Sequence, residues 1–310
     1  MEILAILLVL PLLFLGDIFS GSGDGDTDPD PDTGTEGDDS LIGTANRDDI
    51  SGEGGDDTVV GGDGDDSLRG GDGTDIVDGG AGDDEVRGGD QSDLVLGYDG
   101  NDTAYGGSGD DLVLGEAGND ALWLGDGDDL AWVDDEIDPV LFETGQLGDD
   151  TINGEAGNDS LWDYDGSNVL YGGDGSDDII LQDNTWSQDP DHSHDRGEGG
   201  AGNDFLIGDS GDTLNGGAGA DSFNVIFRDS SYDGVVTVND DPALVEDFNG
   251  SDDFLAIQYL TETDPDPSAQ LTAQTDALTG DVTLSFDGVD LAILSNPENF
   301  DLTQVQFRVN

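Results

Sequence analysis

Gly61-Gly62-Asp63-Gly64-Asp65-Asp66-Ser67-Leu68-Arg69 runs directly into Gly70-Gly71-Asp72-Gly73-Thr74-Asp75-Ile76-Val77-Asp78 and then into Gly79-Gly80-Ala81-Gly82-Asp83-Asp84-Glu85-Val86-Arg87. The same nine-residue phrase keeps its register from Gly34 to Trp132, eleven times over. Asp fills the sixth place in every copy: Asp39, Asp48, Asp57, Asp66, Asp75, Asp84, Asp93, Asp102, Asp111, Asp120 and Asp129. The eighth place is always apolar, from Leu41, Ile50, Val59 and Leu68 through to Leu122 and Ala131. A fixed period of this kind marks a repeat architecture, in which a unit buries its apolar residue only by stacking on its neighbours.

Each place in the phrase has a physical reading. Glycines at the first, second and fourth places allow positive φ and close approach of neighbouring backbones. The last three residues, with only the eighth pointing inward, make a very short strand. The sixth-place aspartates form a run of carboxylates that cannot stand unneutralised. Loops rich in carboxylate and carbonyl oxygen suit a hard cation with six to eight ligands, Ca²⁺ before Mg²⁺.

The phrase resembles the calcium-binding nonapeptide of the RTX (hemolysin-type) proteins, over residues 34 to about 260. The resemblance implies an all-β fold: a right-handed parallel β-roll, two nonads per coil, with a small antiparallel C-terminal cap. Odd and even nonads would then build two parallel sheets, with Asp57, Asp75, Asp93 and Asp111 stacked ~4.8 Å apart on one edge. It further implies multiple Ca²⁺ ions between successive loops. The expected metal residues are the eleven sixth-place aspartates with Asp150, Asp159, Asp177, Asp204 and Asp221 from later units. The loop glycines Gly61, Gly62, Gly64, Gly70, Gly71, Gly73, Gly79, Gly80 and Gly82 join them. Asn168 and the shortened loop at Asp212 depart from the pattern.

Composition bounds the rest. The 310 residues carry 75 acids against six arginines, no lysine and no cysteine, for a formal charge of −69. Nucleic acid is excluded as a partner, since phosphate contacts need a basic face. Disulfides and thiolate metal sites are excluded as well. A chain this acidic is expected to be disordered without Ca²⁺.

Along the chain, residues 1–20 are a hydrophobic segment, with the apolar run Ile3 to Phe19 following Glu2 rather than a basic residue. The run reads as a signal peptide, a membrane anchor or a strap over the roll. Residues 21–33 form an acidic linker. The first repeat block spans 34–132, an insert 133–144, a second block 145–180, a second insert 181–198 and a third block 199–224. Residues 225–310 are expected to form the C-terminal cap and secretion-signal region. Within it, two alternating segments flank Asp287-Gly288, a hairpin signal. The second insert holds both histidines, in Asp191-His192-Ser193-His194-Asp195. An exposed acidic loop is the expected reading there, because no third metal ligand is indicated.

No catalytic residue is assigned. The histidines rule out a His-Glu-x-x-His zinc helix, and no Gly-x-Ser-x-Gly elbow occurs. The leading expectation is a secreted calcium-binding repeat protein that folds after type I export from a Gram-negative cell, as an extracellular or surface component. The alternative is an extracellular polysaccharide-acting enzyme or carbohydrate-binding module with its site in the inserts or cap. Outward places exceed the needs of the repeat: Leu94/Leu96, Leu112/Leu114 and Leu130/Trp132 share one outer face, with Tyr105 and Trp123 on the other. Such a patch asks for a cover, a glycan, a cell surface or self-association. Val140-Leu141-Phe142 of the first insert is expected to cover the Leu130/Trp132 end, leaving the Leu94 end to the N-terminal run or a partner.

Overall fold

The computed structural model describes residues 32–132, 148–163, 166–181, 194–228, 242–260, 270–286 and 289–309. Each nonad supplies one strand, and successive strands alternate between two sheets. Ser67–Asp72 pairs in parallel with Glu85–Asp90, while the intervening Ile76–Ala81 pairs with Thr58–Asp63 and Leu94–Asp99. Among the described residues one sheet has 14 strands and the other 12. The fold is a parallel β-roll with two nonads to the coil.

The strands are longer than the three residues expected. Ser67–Asp72 takes the last three places of one nonad and the first three of the next. The extension is possible because the ladder skips the first glycine. Arg69 pairs with Arg87 and Gly71 with Gly89, and Gly70 falls between. The chain thus turns its corner without leaving the hydrogen-bonded ladder. Gly71 at φ 126° and Gly73 at φ 149° carry the bend beyond it. A Cβ on either would run into the backbone of the preceding coil.

The core is the eighth-place column of each sheet, with Leu68, Val86, Ala104 and Leu122 on one side and Val59, Val77, Val95 and Val113 on the other, all fully buried. Leu124 stands where a first glycine would, and its side chain adds to the interior. The first insert leaves this ladder unbroken: Leu130–Trp132 pairs directly with Ser160–Asp163, and Ala121–Asp126 with Thr151–Ala156.

Past the last repeat the parallel ladders continue. Ser222–Arg228 pairs with Phe254–Leu260, and that strand with Val305–Val309. Among the described residues antiparallel pairing is confined to Thr272–Thr275, Val282–Phe286 and Val289–Leu294. The last two of these strands flank Asp287-Gly288, as the hairpin signal predicted. Aromatic contacts plug the open end of the core: Phe223 to Phe248 at 6.3 Å, Phe227 to Tyr259 at 5.7 Å and Phe286 to Phe307 at 4.8 Å between ring centroids. Such a plug answers the need of a repeat stack to close its last apolar layer.

On the outer leucine face the end left to the N-terminal run or a partner is the more buried one. Leu94 and Leu96 are only 8% and 2% exposed. Asp78, paired with Leu96 across the ladder, has its carboxyl pushed up to about 6 by burial. Leu112, Leu114, Leu130 and Trp132 are half-buried. The two segments proposed as covers, Val140-Leu141-Phe142 and Ile3 to Phe19, lie outside the described residues.

Candidate metal centre

The sixth-place aspartates stack into two columns, one on each edge of the roll. One runs Asp39, Asp57, Asp75, Asp93, Asp111, Asp129, Asp159, Asp177, Asp204, Asp221 and ends on Asp253. The other runs Asp48, Asp66, Asp84, Asp102, Asp120, Asp150, Asn168, Asp195 and Asp212. A single bond repeats down both: the backbone N–H of each member donates to Oδ1 of the next coil's member, as from Asp57 to Asp75 at 2.8 Å. Both columns cross the first insert intact, from Asp120 to Asp150 at 2.6 Å and from Asp129 to Asp159 at 2.9 Å.

The second carboxylate oxygen distinguishes the interior of a column from its ends. In Asp57, Asp66, Asp75, Asp84, Asp93, Asp102, Asp111, Asp120, Asp129, Asp150, Asp159, Asp177 and Asp204, Oδ2 is buried without a hydrogen-bond partner. At the ends the chain itself supplies one. Oδ2 of Asp39 accepts from the Thr35 amide at 2.6 Å and hydroxyl at 2.8 Å. Oδ2 of Asp48 accepts from the same groups of Thr44, at 2.6 and 3.1 Å. At the far ends Asp209 N–H donates to Oδ2 of Asp212 at 2.7 Å and Asn249 N–H to Oδ2 of Asp253 at 2.6 Å.

A buried, unpaired carboxylate oxygen is costly and demands an electropositive partner. First-place glycine shapes the space for it. A Cβ on Gly79 would stand 2.6 Å from Asp84 Oδ2 and 2.9 Å from the Gly97 carbonyl oxygen, and one on Gly97 2.5 Å from Asp102 Oδ2 and 2.7 Å from Gly115 O. Absence of a side chain therefore lets a carboxylate oxygen and a carbonyl oxygen from successive coils converge. Among the described residues no three acidic or imidazole side chains cluster on one point. Any ion here would be held by few carboxylates with backbone carbonyls completing its shell, a donor set that suits Ca²⁺.

Electrostatics point the same way. Burial, aided by the neighbouring column carboxylates, pushes Asp84 and Asp102 up to about 7 and Asp111 to about 8, against the pull of the backbone hydrogen bond. Burial does the same to Asp93, Asp120, Asp150 and Asp159, each to about 7. Only protons or a cation relieve such a column.

Every aspartate read from the sequence as a metal residue falls in one of the two columns. Asn168 fills a sixth place with an amide, whose Nδ2 donates to Asp163 Oδ1 at 2.6 Å. Asp195 was not singled out, although it is buried and lies in the column. It opens the strand Arg196–Ala201, inside the span read as the second insert. Its eighth place is Gly197 rather than an apolar residue, which hid the unit; the four-residue step from Asp195 to Gly199 was the available signal. His194 lies just ahead of it, and His192 falls outside the described residues.

A family model described as the RTX calcium-binding nonapeptide repeat (4 copies) matches residues 33–68, 60–95, 69–104, 96–131, 144–179 and 193–223, together more than half of the chain. No curated protein matches the chain.

Proposed function

The chain belongs to the RTX calcium-binding nonapeptide repeat family, and from that premise we propose that it is an extracellular protein whose roll folds only when Ca²⁺ fills its two columns. Calcium binding itself comes with the repeat. The observation that carries the folding half is the set of buried Oδ2 atoms without partners, from Asp57 to Asp204. Bound Ca²⁺ would supply the positive charge that these oxygens lack. The interior aspartates would hold it through Oδ2. First-place glycines such as Gly61, Gly70 and Gly79 would leave room beside the carboxylate, and second- and fourth-place glycines such as Gly62, Gly64, Gly71, Gly73, Gly80 and Gly82 would let the coils close on one another. Asp39 and Asp48 would serve mainly as end members, since Thr35 and Thr44 already meet their second oxygen.

Coupling of metal to folding makes the compartment part of the function. Extracellular Ca²⁺ modules bind at ~10⁻⁴–10⁻³ M, a concentration met outside the cell and absent from the cytosol. The chain would therefore travel unfolded and fold on arrival, as an extracellular or surface component. Among the described residues no helix is long and apolar enough to cross a membrane. Residues 225–310 are the proposed carrier of the type I export signal. Fusing them to an unrelated passenger in an export-competent Gram-negative host tests this. The passenger should reach the medium; a passenger retained in cells that do export a known type I substrate would contradict the assignment.

A further inference from the structure

At the end of the 12-stranded sheet, Phe205–Gly208, Ser222–Arg228, Phe254–Leu260 and Val305–Val309 lie side by side. Their outer face has a different character from the leucine patch. Ala256 is flanked across the ladder by Asn224 on one side and Gln306 on the other. Gln258, two places along, is flanked by Arg308. The small alanine leaves a hollow of about 170 Å³, walled by Phe205 and Phe254 and ringed by Asn224, Gln258, Gln306 and Arg308.

Two properties single this hollow out. Among the described residues no carboxylate lines it, in a chain with 75 acids. Among the described residues Arg308 is exposed and makes no ion pair, a state it shares with Arg47 at the other end of the roll. Arg69, Arg87 and Arg196 by contrast each lie against a carboxylate, Arg69 on Asp49 at 3.6 Å and Arg196 on Glu198 at 2.7 Å and Glu246 at 2.8 Å, with Arg87 on Glu85. The amides are partly committed to each other: Gln258 Nε2 donates to Asn224 Oδ1 at 3.2 Å. That bond leaves the Asn224 amide group as a donor and the Gln258 carbonyl as an acceptor.

We propose that the hollow over Ala256 binds a single carboxylated sugar ring, of the hexuronate type. A guanidinium takes a carboxylate through two parallel N–H donors, which a lone ammonium cannot do. The three carboxamides offer both donors and acceptors, as ring hydroxyls require. Phe254, 40% exposed, presents an apolar surface to the C–H face of the ring. The volume is below the ~300–1,000 Å³ of sites for larger ligands, so one ring is engaged and not a chain. This goes beyond calcium-driven folding, though the hollow exists only on the folded roll.

The test is a calorimetric titration of the Ca²⁺-loaded full chain with glucuronate, glucose and acetate, with Ca²⁺ kept in excess of the sugar. Far-UV circular dichroism on each variant separates loss of binding from loss of folding. Glucuronate should bind at least tenfold more tightly than either glucose or acetate. Arg308→Gln and Phe254→Ala, both at exposed positions, should each weaken it at least tenfold while Ca²⁺-induced folding stays unchanged. The proposal is overturned if glucuronate gives no binding heat to the folded chain, if glucose or acetate equals it, or if the folded Arg308→Gln variant binds as the parent does.

Discussion

The backbone amide of Asp57 donates to Oδ1 of Asp75 one coil further on, at 2.8 Å, and Oδ2 of Asp75 meets no donor at all. One oxygen of each interior aspartate thus stitches neighbouring coils, and the other is reserved. The geometry needs a carboxylate for both tasks: a backbone acceptor on one side and a charged ligand on the other. Asp39 and Asp48 open their columns: their backbone amides donate onward to Asp57 and Asp66, while a threonine amide and hydroxyl occupy their second oxygen.

Asp93→Asn and Asp39→Asn should therefore differ. Asparagine keeps an oxygen for the stitching bond and loses the charge. In the column interior, Asp93→Asn should raise the Ca²⁺ concentration for half-folding roughly tenfold, the scale on which ligand charge tunes Ca²⁺ affinity. Asp39→Asn should move it little. Equal shifts in a fluorescence-monitored Ca²⁺ titration would show that the column ends bind metal like its interior.

Gly79→Ala and Gly37→Ala test the space beside the carboxylate. A Cβ on Gly79 meets Asp84 Oδ2 and the Gly97 carbonyl, whereas on Gly37 it meets nothing within 4 Å. Overpacking of this kind costs ~1–3 kcal/mol. Urea denaturation in saturating Ca²⁺ should report a loss of that order for Gly79→Ala, and for Gly37→Ala, whose Cβ has open space, a change within about 0.5 kcal/mol. A Gly79→Ala variant as stable as its parent would remove the reason for glycine at the first place.

Protons should partly substitute for the metal. Column carboxyls are raised from 3.8 to about 6 in Asp204, about 7 in Asp84 and about 8 in Asp111, chiefly by burial. A group whose folded pKa exceeds its unfolded value stabilises the fold while protonated. That contribution is complete below about pH 4 and lost as the pH rises through the folded values. In EDTA, lowering the pH from about 8 to about 5 should increase the β signal, still above the isoelectric point of ≈ 4.1. A metal-free chain equally unstructured at both ends of that range would contradict the shifts.

The outer face gives a fourth contrast. Leu96 points outward from its strand and is nevertheless 2% exposed, while Leu112 is half-buried. Leu96→Ser should cost ~2–5 kcal/mol, as for deletion of a buried leucine side chain. Leu112→Ser should cost less than half of that in the same calorimetric melt with Ca²⁺ present. Indistinguishable melts would mean that the cover over Leu96 contributes no packing.

How much of this could be read from the chain differs between its parts. Periodicity alone placed the sixth-place aspartates and eighth-place apolar residues, because each nonad repeats one local conformation. The hairpin around Asp287-Gly288 was legible for the same local reason. Asp195 was not, since Gly197 occupies its inward place and the core is filled around it by Ile179, Leu181 and Leu206. Thr35 and Thr44 stand at the second place of their nonads, where glycine is usual, yet their bonds to Asp39 and Asp48 depend on a side-chain arrangement that no period encodes. The burial of Leu96 and the hollow over Ala256 arise from residues far apart in sequence, and only topology brings these together.

The central claim is that Ca²⁺ makes the fold. Far-UV circular dichroism of the full chain at neutral pH, first in excess EDTA and then through a CaCl₂ titration, tests it most directly. The account predicts an unstructured spectrum in EDTA and a cooperative gain of β signal with a midpoint at ~10⁻⁴–10⁻³ M Ca²⁺, with no equivalent gain from MgCl₂. A full β spectrum in EDTA, unchanged by CaCl₂, would contradict it.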